Sequence, residues 1–253
     1  MKKKRRTKKV RRRRMIWGLS ILGGLGFLAI LALILTHPWS KGTKEAGNTM
    51  RSASVYTPTQ GTRGEGFLVC LDAGHGGKDP GAISGDRTEA ADTLAMILKI
   101  AQCLEAQGCS VLLTREDDTF LELEERVQIA NNAGANALVS IHRNSAEDTT
   151  VGGAEVWIHN AQPSNAVILG NAILARLNET GTLDTQRGLR LGTSGNESAN
   201  YWINRASTMA SCIVELGFVT NEQDNRLYDE AMDQIAQAVA DGILDALQDS
   251  AFS

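Results

Sequence analysis

Three short runs of apolar residues, none of them alternating with polar residues, constrain the fold of this chain most. They are residues 68–71 (LVCL), 137–141 (ALVSI) and 211–214 (SCIV). Strands buried on both faces of a parallel sheet have this composition, whereas half-exposed strands alternate apolar and polar residues. Each run is followed by polar residues, so the sequence predicts a buried sheet with chemistry at one end of its strands.

The residues that follow these runs include two histidines and a glutamate. His75 lies in a glycine-rich loop after the first run, His142 follows the second and Glu215 follows the third. Taken alone, a histidine in a glycine-rich turn is more often incidental than functional. Ligands of open α/β sheets, however, bind outside the carboxyl ends of the strands. We therefore expect these three side chains to converge on one site although they are far apart in sequence.

The segments between these runs predict the rest of the fold. Apolar residues recur with helical spacing in four segments: 94–104, 120–132, 163–178 and 231–247. Further strands are expected at 110–114, 154–158 and 188–191. Alternating strands and helices predict an α/β fold with a mostly parallel, twisted sheet and helices on both faces. The segment 181–204, which includes the strand expected at 188–191, is the least readable part of the predicted domain.

The amino-terminal part of the chain predicts a membrane anchor ahead of the folded domain. Residues 1–14 contain eleven Lys and Arg and no acid, and residues 15–35 are uncharged. An apolar segment of this length can cross a bilayer as a helix, and a preceding basic segment stays in the cytoplasm. We therefore expect a basic cytoplasmic tail (1–14) and one transmembrane helix (15–36). The apolar segment is longer than that of a cleavable signal peptide, which favours an anchor that is retained.

The remaining sequence predicts a flexible linker and an acidic extracytoplasmic domain. Residues 37–66 are rich in Gly, Ser, Thr and Lys without an apolar period, which is typical of a linker, and the catalytic domain is expected at 67–253. Residues 65–253 contain eleven Lys and Arg against twenty-eight Asp and Glu, a net charge near −17. Such a domain repels polyanions, which argues against nucleic-acid binding. We expect a monomer attached to the cell membrane, with its domain on the cell-wall side.

Two histidines and one carboxylate form a donor set for catalytic zinc that leaves a coordination position open. His75 and His142 supply the nitrogens, and Glu89, at the start of the first predicted helix, is our candidate for the carboxylate. An acid in the first turn is also favoured by the helix dipole, so its position alone leaves both interpretations open. With Glu89 as the ligand, Glu215 becomes the candidate general base. The expected cofactor is one Zn²⁺ per chain.

These motifs resemble those of the zinc-dependent N-acetylmuramoyl-L-alanine amidases of bacterial cell walls. DAGHGGKDPGA (72–82), SIHRNS (140–145) and VELGFVTNEQD (214–224) are similar to three motifs of that family, and the resemblance covers about residues 67–247. It implies that His75 and His142 are zinc ligands and that Glu215 is the catalytic glutamate. It also implies the reaction, which is hydrolysis of the amide between N-acetylmuramic acid and L-alanine in peptidoglycan.

The chain departs from the family pattern at two places. The family usually has Glu-Lys-Asp-x-Asn-Leu around the second ligand, whereas this chain has EAADTL at 89–94, so the partners that orient Glu89 are different. Arg143 stands where a small residue is commoner. It either contacts an anionic peptide stem or lies exposed at the rim of the site. Asn144 and Arg205 are further candidates for substrate contacts.

Two other functions fit the same residues. One is a zinc peptidase that cuts peptide bonds of the wall. The other is a membrane-anchored wall-binding or regulatory protein whose amidase site is degenerate, as the altered segment at 89–94 would allow.

Overall fold

The computed structural model describes residues 55–56 and 63–252. The predicted basic tail, the anchor and most of the predicted linker lie outside the described residues. Within the described part of the chain, no helix combines the length and the apolar character needed to cross a membrane.

Seven strands form one mixed sheet in the described chain, and two more form a short hairpin. The sheet strands are β1 (Val55–Tyr56), β2 (Leu68–Ala73), β5 (Ser110–Leu113), β6 (Ala137–Asn144), β7 (Glu155–Ile158), β8 (Gly188–Leu191) and β9 (Ala210–Phe218), and the hairpin strands are β3 (Ile83–Ser84) and β4 (Arg87–Thr88). The sheet order is β1-β5-β2-β6-β9-β7-β8. Four pairings are parallel, and the β1–β5 and β7–β9 pairings are antiparallel. The predicted, mostly parallel sheet is confirmed.

Helices cover both faces of the sheet. They are α1 (Glu89–Ala106), α2 (Leu123–Ala133), α3 (Ser164–Thr180), α4 (Trp202–Ala206), α5 (Glu222–Glu230) and α6 (Met232–Gln248). The larger apolar core packs α1, α3 and α6 against one face of the sheet. A smaller core packs α2 and α4 against the other face. Successive residues of a strand point to opposite faces, and Leu71 and Cys70 accordingly lie in different cores.

Helices α4 and α5 and the β3–β4 hairpin were not predicted from the sequence. Helix α5 contains few apolar residues, so it has no apolar stripe to recognise. It is instead started by Asn221, whose side chain accepts a hydrogen bond of 2.9 Å from the amide of Asp224. Helix α4 and the hairpin strands are too short to show a period. Strand β9 also extends past the predicted end at residue 214.

The folded domain begins earlier than the predicted boundary at residue 67. Arg63 donates a hydrogen bond of 3.0 Å to Asp241 on α6 and also pairs with Asp245. The amide of Gly64 donates to the carbonyl of Gln107 at 2.8 Å. Strand β1, farther back in the predicted linker, pairs with β5. The end of the segment predicted as a flexible linker is therefore part of the sheet and its surroundings.

Candidate metal centre

The site lies at the carboxyl edge of the three central parallel strands. Strand β6 lies between β2 and β9, and His142 of β6 is in register with Glu215 of β9. The end of β2 lies beside the end of β6, because the amide of Gly74, directly after β2, donates to the carbonyl of Ile141 at 3.0 Å. The three strand ends that the sequence predicted to meet are thus neighbours.

His75, Glu89 and His142 form a compact donor set. Nε2 of His75 lies 3.1 Å from Oε2 of Glu89, and Nδ1 of His142 lies 2.9 Å from Oε1 of Glu89. One ligand atom from each residue falls within 4.8 Å of the others. Zinc bonds to nitrogen or carboxylate oxygen of about 2.0–2.2 Å in a tetrahedron separate neighbouring donors by roughly 3.3 Å. The residues present therefore fit a zinc ion.

Glu89 is held by the backbone of neighbouring loops. It is 5% exposed at the first position of α1. Its Oε2 accepts from the amide of Ala82 at 2.9 Å, and its Oε1 accepts from the amide of Arg143 at 3.0 Å. Burial alone would raise its pKa, but the hydrogen bonds and charges of the two histidines outweigh burial and lower that pKa well below the usual range. The altered sequence at 89–94 leaves these donors in place, because they are main-chain groups.

His75 is oriented by its backbone and by Asp79. It has a left-handed backbone with φ of 62°, which is uncommon for a residue with a side chain. Its Nδ1 lies 2.8 Å from a carboxylate oxygen of Asp79. This contact favours a proton on Nδ1 and leaves Nε2 free to bind a metal. Burial lowers the pKa of His75, but Glu89 and Asp79 together raise it to about 9. A proton therefore competes with the metal at neutral pH.

Two buried arginines fix the backbone on both sides of His75. Arg126 pairs with Asp72 at 2.9 Å and donates to the carbonyl of His75 at 2.7 Å. Arg115 donates to the carbonyls of Ala73 and Gly74 at 3.0 and 2.9 Å. Burial would raise the pKa of Asp72, yet Arg126 and two hydroxyl donors lower it. The loop that carries the first histidine is thus anchored by charged hydrogen bonds that the sequence motifs did not reveal.

The prediction that Arg143 contacts substrate or lies at the rim is corrected by the structure. Its side chain is 0% exposed, and Nη1 donates to Asp92 at 2.7 Å. Nη2 donates to Asn225 at 2.8 Å, and the guanidinium lies 4.2 Å from the centre of the Tyr228 ring. Asp92, Asn225 and Tyr228 are distant in sequence, so only the fold could show that they enclose this arginine. Its link to the site is the main-chain bond to Glu89.

Glu215, the predicted general base, lies on β9 at the same edge of the sheet as the donor set. It lies beside His142 on β6 and beside Glu155 on β7. Its Oε2 is buried and has no hydrogen-bond partner among the described residues. Burial raises the pKa of Glu215 to about 7; the negative charges of Glu89 and Glu155 add to this effect, and His142 opposes it. A carboxylate with this pKa can both accept and release a proton near neutral pH.

Asn144 and Arg205, the other two predicted substrate contacts, lie at different distances from the site. Asn144 is near the site, where its side-chain amide donates to Glu155 at 2.9 Å. Arg205 is exposed and stacks on Trp202. The side chain of the neighbouring Asn204 accepts a hydrogen bond from Ser211 on β9. Ser211 precedes Glu215 by four residues, which separates the two by about 13 Å along the strand. The structure therefore does not bring Arg205 to the metal centre.

Glu155, which lies beside Glu215, was not among the residues expected at the site. It is 1% exposed and lies in the apolar run AEVWI at 154–158. Its carboxylate accepts from Trp157 Nε1 at 3.1 Å and from Arg187 Nε at 2.8 Å. A single acid within an otherwise apolar strand was the available signal, because a buried charge is retained only with partners.

A family model, a curated relative and two solved structures that match this chain are all described as N-acetylmuramoyl-L-alanine amidases. Residues 69–245 match the family model of N-acetylmuramoyl-L-alanine amidases. The chain is 33% identical over 182 residues to the N-acetylmuramoyl-L-alanine amidase LytC of Bacillus subtilis, a match that covers 70% of this chain and only 35% of LytC. The chain thus spans about a third of that relative.

Two solved structures share the fold. The catalytic domain of CwlV, an N-acetylmuramoyl-L-alanine amidase from Bacillus (Paenibacillus) polymyxa var. colistinus, is 36% identical with a TM-score of 0.64; the match covers 72% of this chain and 98% of that one. The N-acetylmuramoyl-L-alanine amidase AmiC2 of Nostoc punctiforme is 37% identical with a TM-score of 0.66, and the match covers 74% and 100% of the two chains.

Proposed function

Because the chain belongs to the N-acetylmuramoyl-L-alanine amidase family, we propose that it hydrolyses the amide between N-acetylmuramic acid and L-alanine in peptidoglycan, using one zinc ion held by His75, Glu89 and His142. The observation that carries this proposal is the meeting of that donor set with Glu215 at one edge of the sheet. A metal site without an adjacent base would support binding alone.

In the proposed reaction one residue transfers the proton, and other residues hold the metal ligands in position. A zinc ion at this position supplies a Lewis acid for the scissile carbonyl and lowers the pKa of water. Glu215 takes the proton of the attacking water and delivers it to the leaving amine, as a general base that then acts as the acid. Asp79 keeps His75 in the tautomer that can bind the metal, and the amides of Ala82 and Arg143 keep Glu89 ionised and in place.

We also propose that the domain works on the wall side of the cell membrane. Support comes from the uncharged segment that follows the basic tail, because a basic segment before a span stays in the cytoplasm. The partners are then peptidoglycan and the lipid bilayer, with the protein acting as a monomer and its amino terminus in the cytoplasm. Protease added to intact, wall-stripped cells should release the domain. A domain that stays protected would contradict this orientation.

A degenerate amidase site is the weaker alternative. It was motivated by the sequence at 89–94, but Glu89 is oriented by main-chain donors that do not depend on those side chains. A zinc peptidase uses the same donor set, so the metal centre by itself does not separate it from an amidase.

The products of wall digestion separate these functions. The full-length chain, loaded with zinc, is incubated with purified peptidoglycan, and the soluble fragments are identified by mass spectrometry. The amidase proposal expects stem peptides with a free amino-terminal L-alanine and glycan strands with free lactyl groups. Fragments that keep L-alanine on muramic acid would point to the peptidase, and a zinc-loaded protein that releases nothing would support the degenerate site. Chelator-treated protein is the control.

A further inference from the structure

A second charged cluster lies next to the catalytic glutamate and is not used in the proposed chemistry. Its centre is Glu155, which is in register with Glu215 on the adjacent strand and points to the same face of the sheet. Arg187 donates to Glu155 at 2.8 Å, and Arg190 of β8 lies 3.6 Å from the same oxygen. We call Arg187 and Arg190 the arginine pair.

The arginine pair carries two positive charges, and both arginines contact the same single carboxylate. Glu155 is 1% exposed and already accepts hydrogen bonds from Asn144 and Trp157 as well as from Arg187. One arginine is enough to pair with this carboxylate, so Arg190 adds a second cation to a single anion. Each arginine contacts Glu155 through Nε, and no described residue accepts a hydrogen bond from their Nη atoms. A second anion that reached both guanidiniums would be attracted by the charge that Glu155 leaves unbalanced.

The arginine pair is accessible, whereas the acid that holds it is not. The side chain of Arg187 is 30% exposed and that of Arg190 is 47% exposed. Their guanidiniums lie over the rings of Phe218 and Trp157, at 4.9 and 5.8 Å from the ring centres. Rings and a buried carboxylate therefore restrain the orientation of both arginines, and planar guanidinium groups held in this way suit the two oxygens of a carboxylate.

The position of the arginine pair matches the leaving side of the substrate. The amine that Glu215 protonates lies at β9. Arg190 lies on β8 and Arg187 directly precedes β8, and both side chains reach back to Glu155 on β7, the strand next to β9. Neighbouring strands are about 5 Å apart, so the arginine pair lies roughly 5–10 Å beyond Glu215. Two extended residues span about 7 Å. The residue that reaches the arginine pair is thus the second one after the scissile amide.

We propose that Arg187 and Arg190 form a subsite for the free carboxylate of the second residue of the stem peptide, with Glu155 and Trp157 holding the arginines in position. This inference rests on the proposed amidase function. The glycan is uncharged at this distance, so the stem supplies the anion. In peptidoglycan the second residue is commonly a γ-linked D-glutamate whose α-carboxyl is either free or amidated. The subsite therefore predicts that the protein prefers the free acid.

Two soluble substrates test this preference. They are N-acetylmuramoyl-L-alanyl-D-glutamyl and N-acetylmuramoyl-L-alanyl-D-isoglutaminyl peptides, which differ only in that one group is a carboxylate or a carboxamide. The zinc-loaded full-length chain should cleave the acid with a kcat/KM about 10-fold to 100-fold higher than the amide, the range expected for a hydrogen bond between charged groups. In Arg190→Gln this ratio should fall to about 1–3, through loss of activity on the acid alone.

Arg176→Gln is the matched control. Arg176 is partly exposed on α3, on the opposite face of the sheet, and pairs with Asp245, so its substitution removes the same charge elsewhere. Binding is measured separately by calorimetry in a Glu215→Gln background, where turnover does not interfere. Arg190→Gln should weaken binding of the acid and leave binding of the amide unchanged, with equal zinc content and unfolding midpoint.

The outcomes distinguish this proposal from the amidase proposal. Equal cleavage of both substrates by the parent protein, or an equal loss on both in Arg190→Gln, overturns the subsite while leaving the amidase function intact. Failure of the zinc-loaded parent to cleave either substrate counts against the amidase function. In that case calorimetry still tests the subsite. Tighter binding of the acid substrate than of the amide substrate would support the subsite, and equal binding of the two would overturn it.

Discussion

Replacing Glu215 by Gln should change how the stability of the metal-free protein depends on pH. The pKa of Glu215 rises from an ordinary value of 4.5 to about 7, first because the carboxyl group is buried and then because Glu89 and Glu155 are negative. Its Oε2 has no partner among the described residues that would favour the charged form. The folded state therefore keeps a proton that the unfolded state releases between pH 4.5 and 7, and stability falls as pH rises through that window.

The magnitude follows from the two pKa values. Each pKa unit corresponds to about 1.36 kcal/mol, so ionisation of Glu215 costs the folded state about 3 kcal/mol at pH 8 relative to pH 4. Glutamine does not titrate, so Glu215→Gln lacks this loss. The unfolding free energy of the variant minus that of the parent should increase by about 3 kcal/mol from pH 4 to pH 8. Taking this difference removes the contribution of the titrating groups that do not interact with Glu215.

Urea unfolding of the full-length parent and variant, both stripped of metal, measures this difference at each pH. A bound cation favours the carboxylate, so the pH-dependent part should shrink when both proteins carry zinc. A difference that is flat from pH 4 to pH 8 would refute the reasoning, because it would mean that the carboxylate of Glu215 is as well solvated in the folded protein as in the unfolded one.

Three further predictions concern the metal centre and its support. Glu89→Ala should lose bound zinc, measured by metal analysis after gel filtration, because two nitrogens remain of the donor set; stoichiometric zinc would remove Glu89 from the ligands. Arg126→Met should lower the unfolding free energy in urea by about 3–5 kcal/mol, since it leaves Asp72 buried and unpaired, and a loss below about 1 kcal/mol would contradict the buried pair. Gly74→Ala should release zinc to a chelator faster than the parent does, because the new Cβ would lie 2.3 Å from the His142 ring; equal release would show that the ring can move without cost.

The central strands and the convergence of their ends could be predicted because both depend on local sequence. Unalternating apolar runs predict doubly buried strands, and parallel strands place their carboxyl ends at one edge. His75, His142 and Glu215 all follow directly from that geometry. Glu89 was harder to assign from position alone, since an acid is favoured at any helix start.

The partners of the buried charges could not be predicted, because long-range contacts select them. Arg143 was expected at or near the surface, as arginines usually are. The fold instead places it between Asp92, Asn225 and the Tyr228 ring, which come from two different helices. Arg205 was expected near the site, but the short helix that carries it contacts the amino-terminal end of β9, whereas the site lies at the carboxyl end of the parallel strands. In both cases local sequence contains no information about the neighbouring element.

The most direct test of the central claim compares the rates at which the parent and Glu215→Gln, each loaded with one equivalent of zinc, release stem peptides from purified peptidoglycan. Glu215 is assigned to move the proton and is not a metal ligand, so the variant should keep its zinc and its fold. Its rate should fall by about 100-fold to 10,000-fold, the range for loss of a general base. A variant with full zinc occupancy that releases stem peptides at close to the parent rate would contradict the assignment of Glu215 and the mechanism built on it.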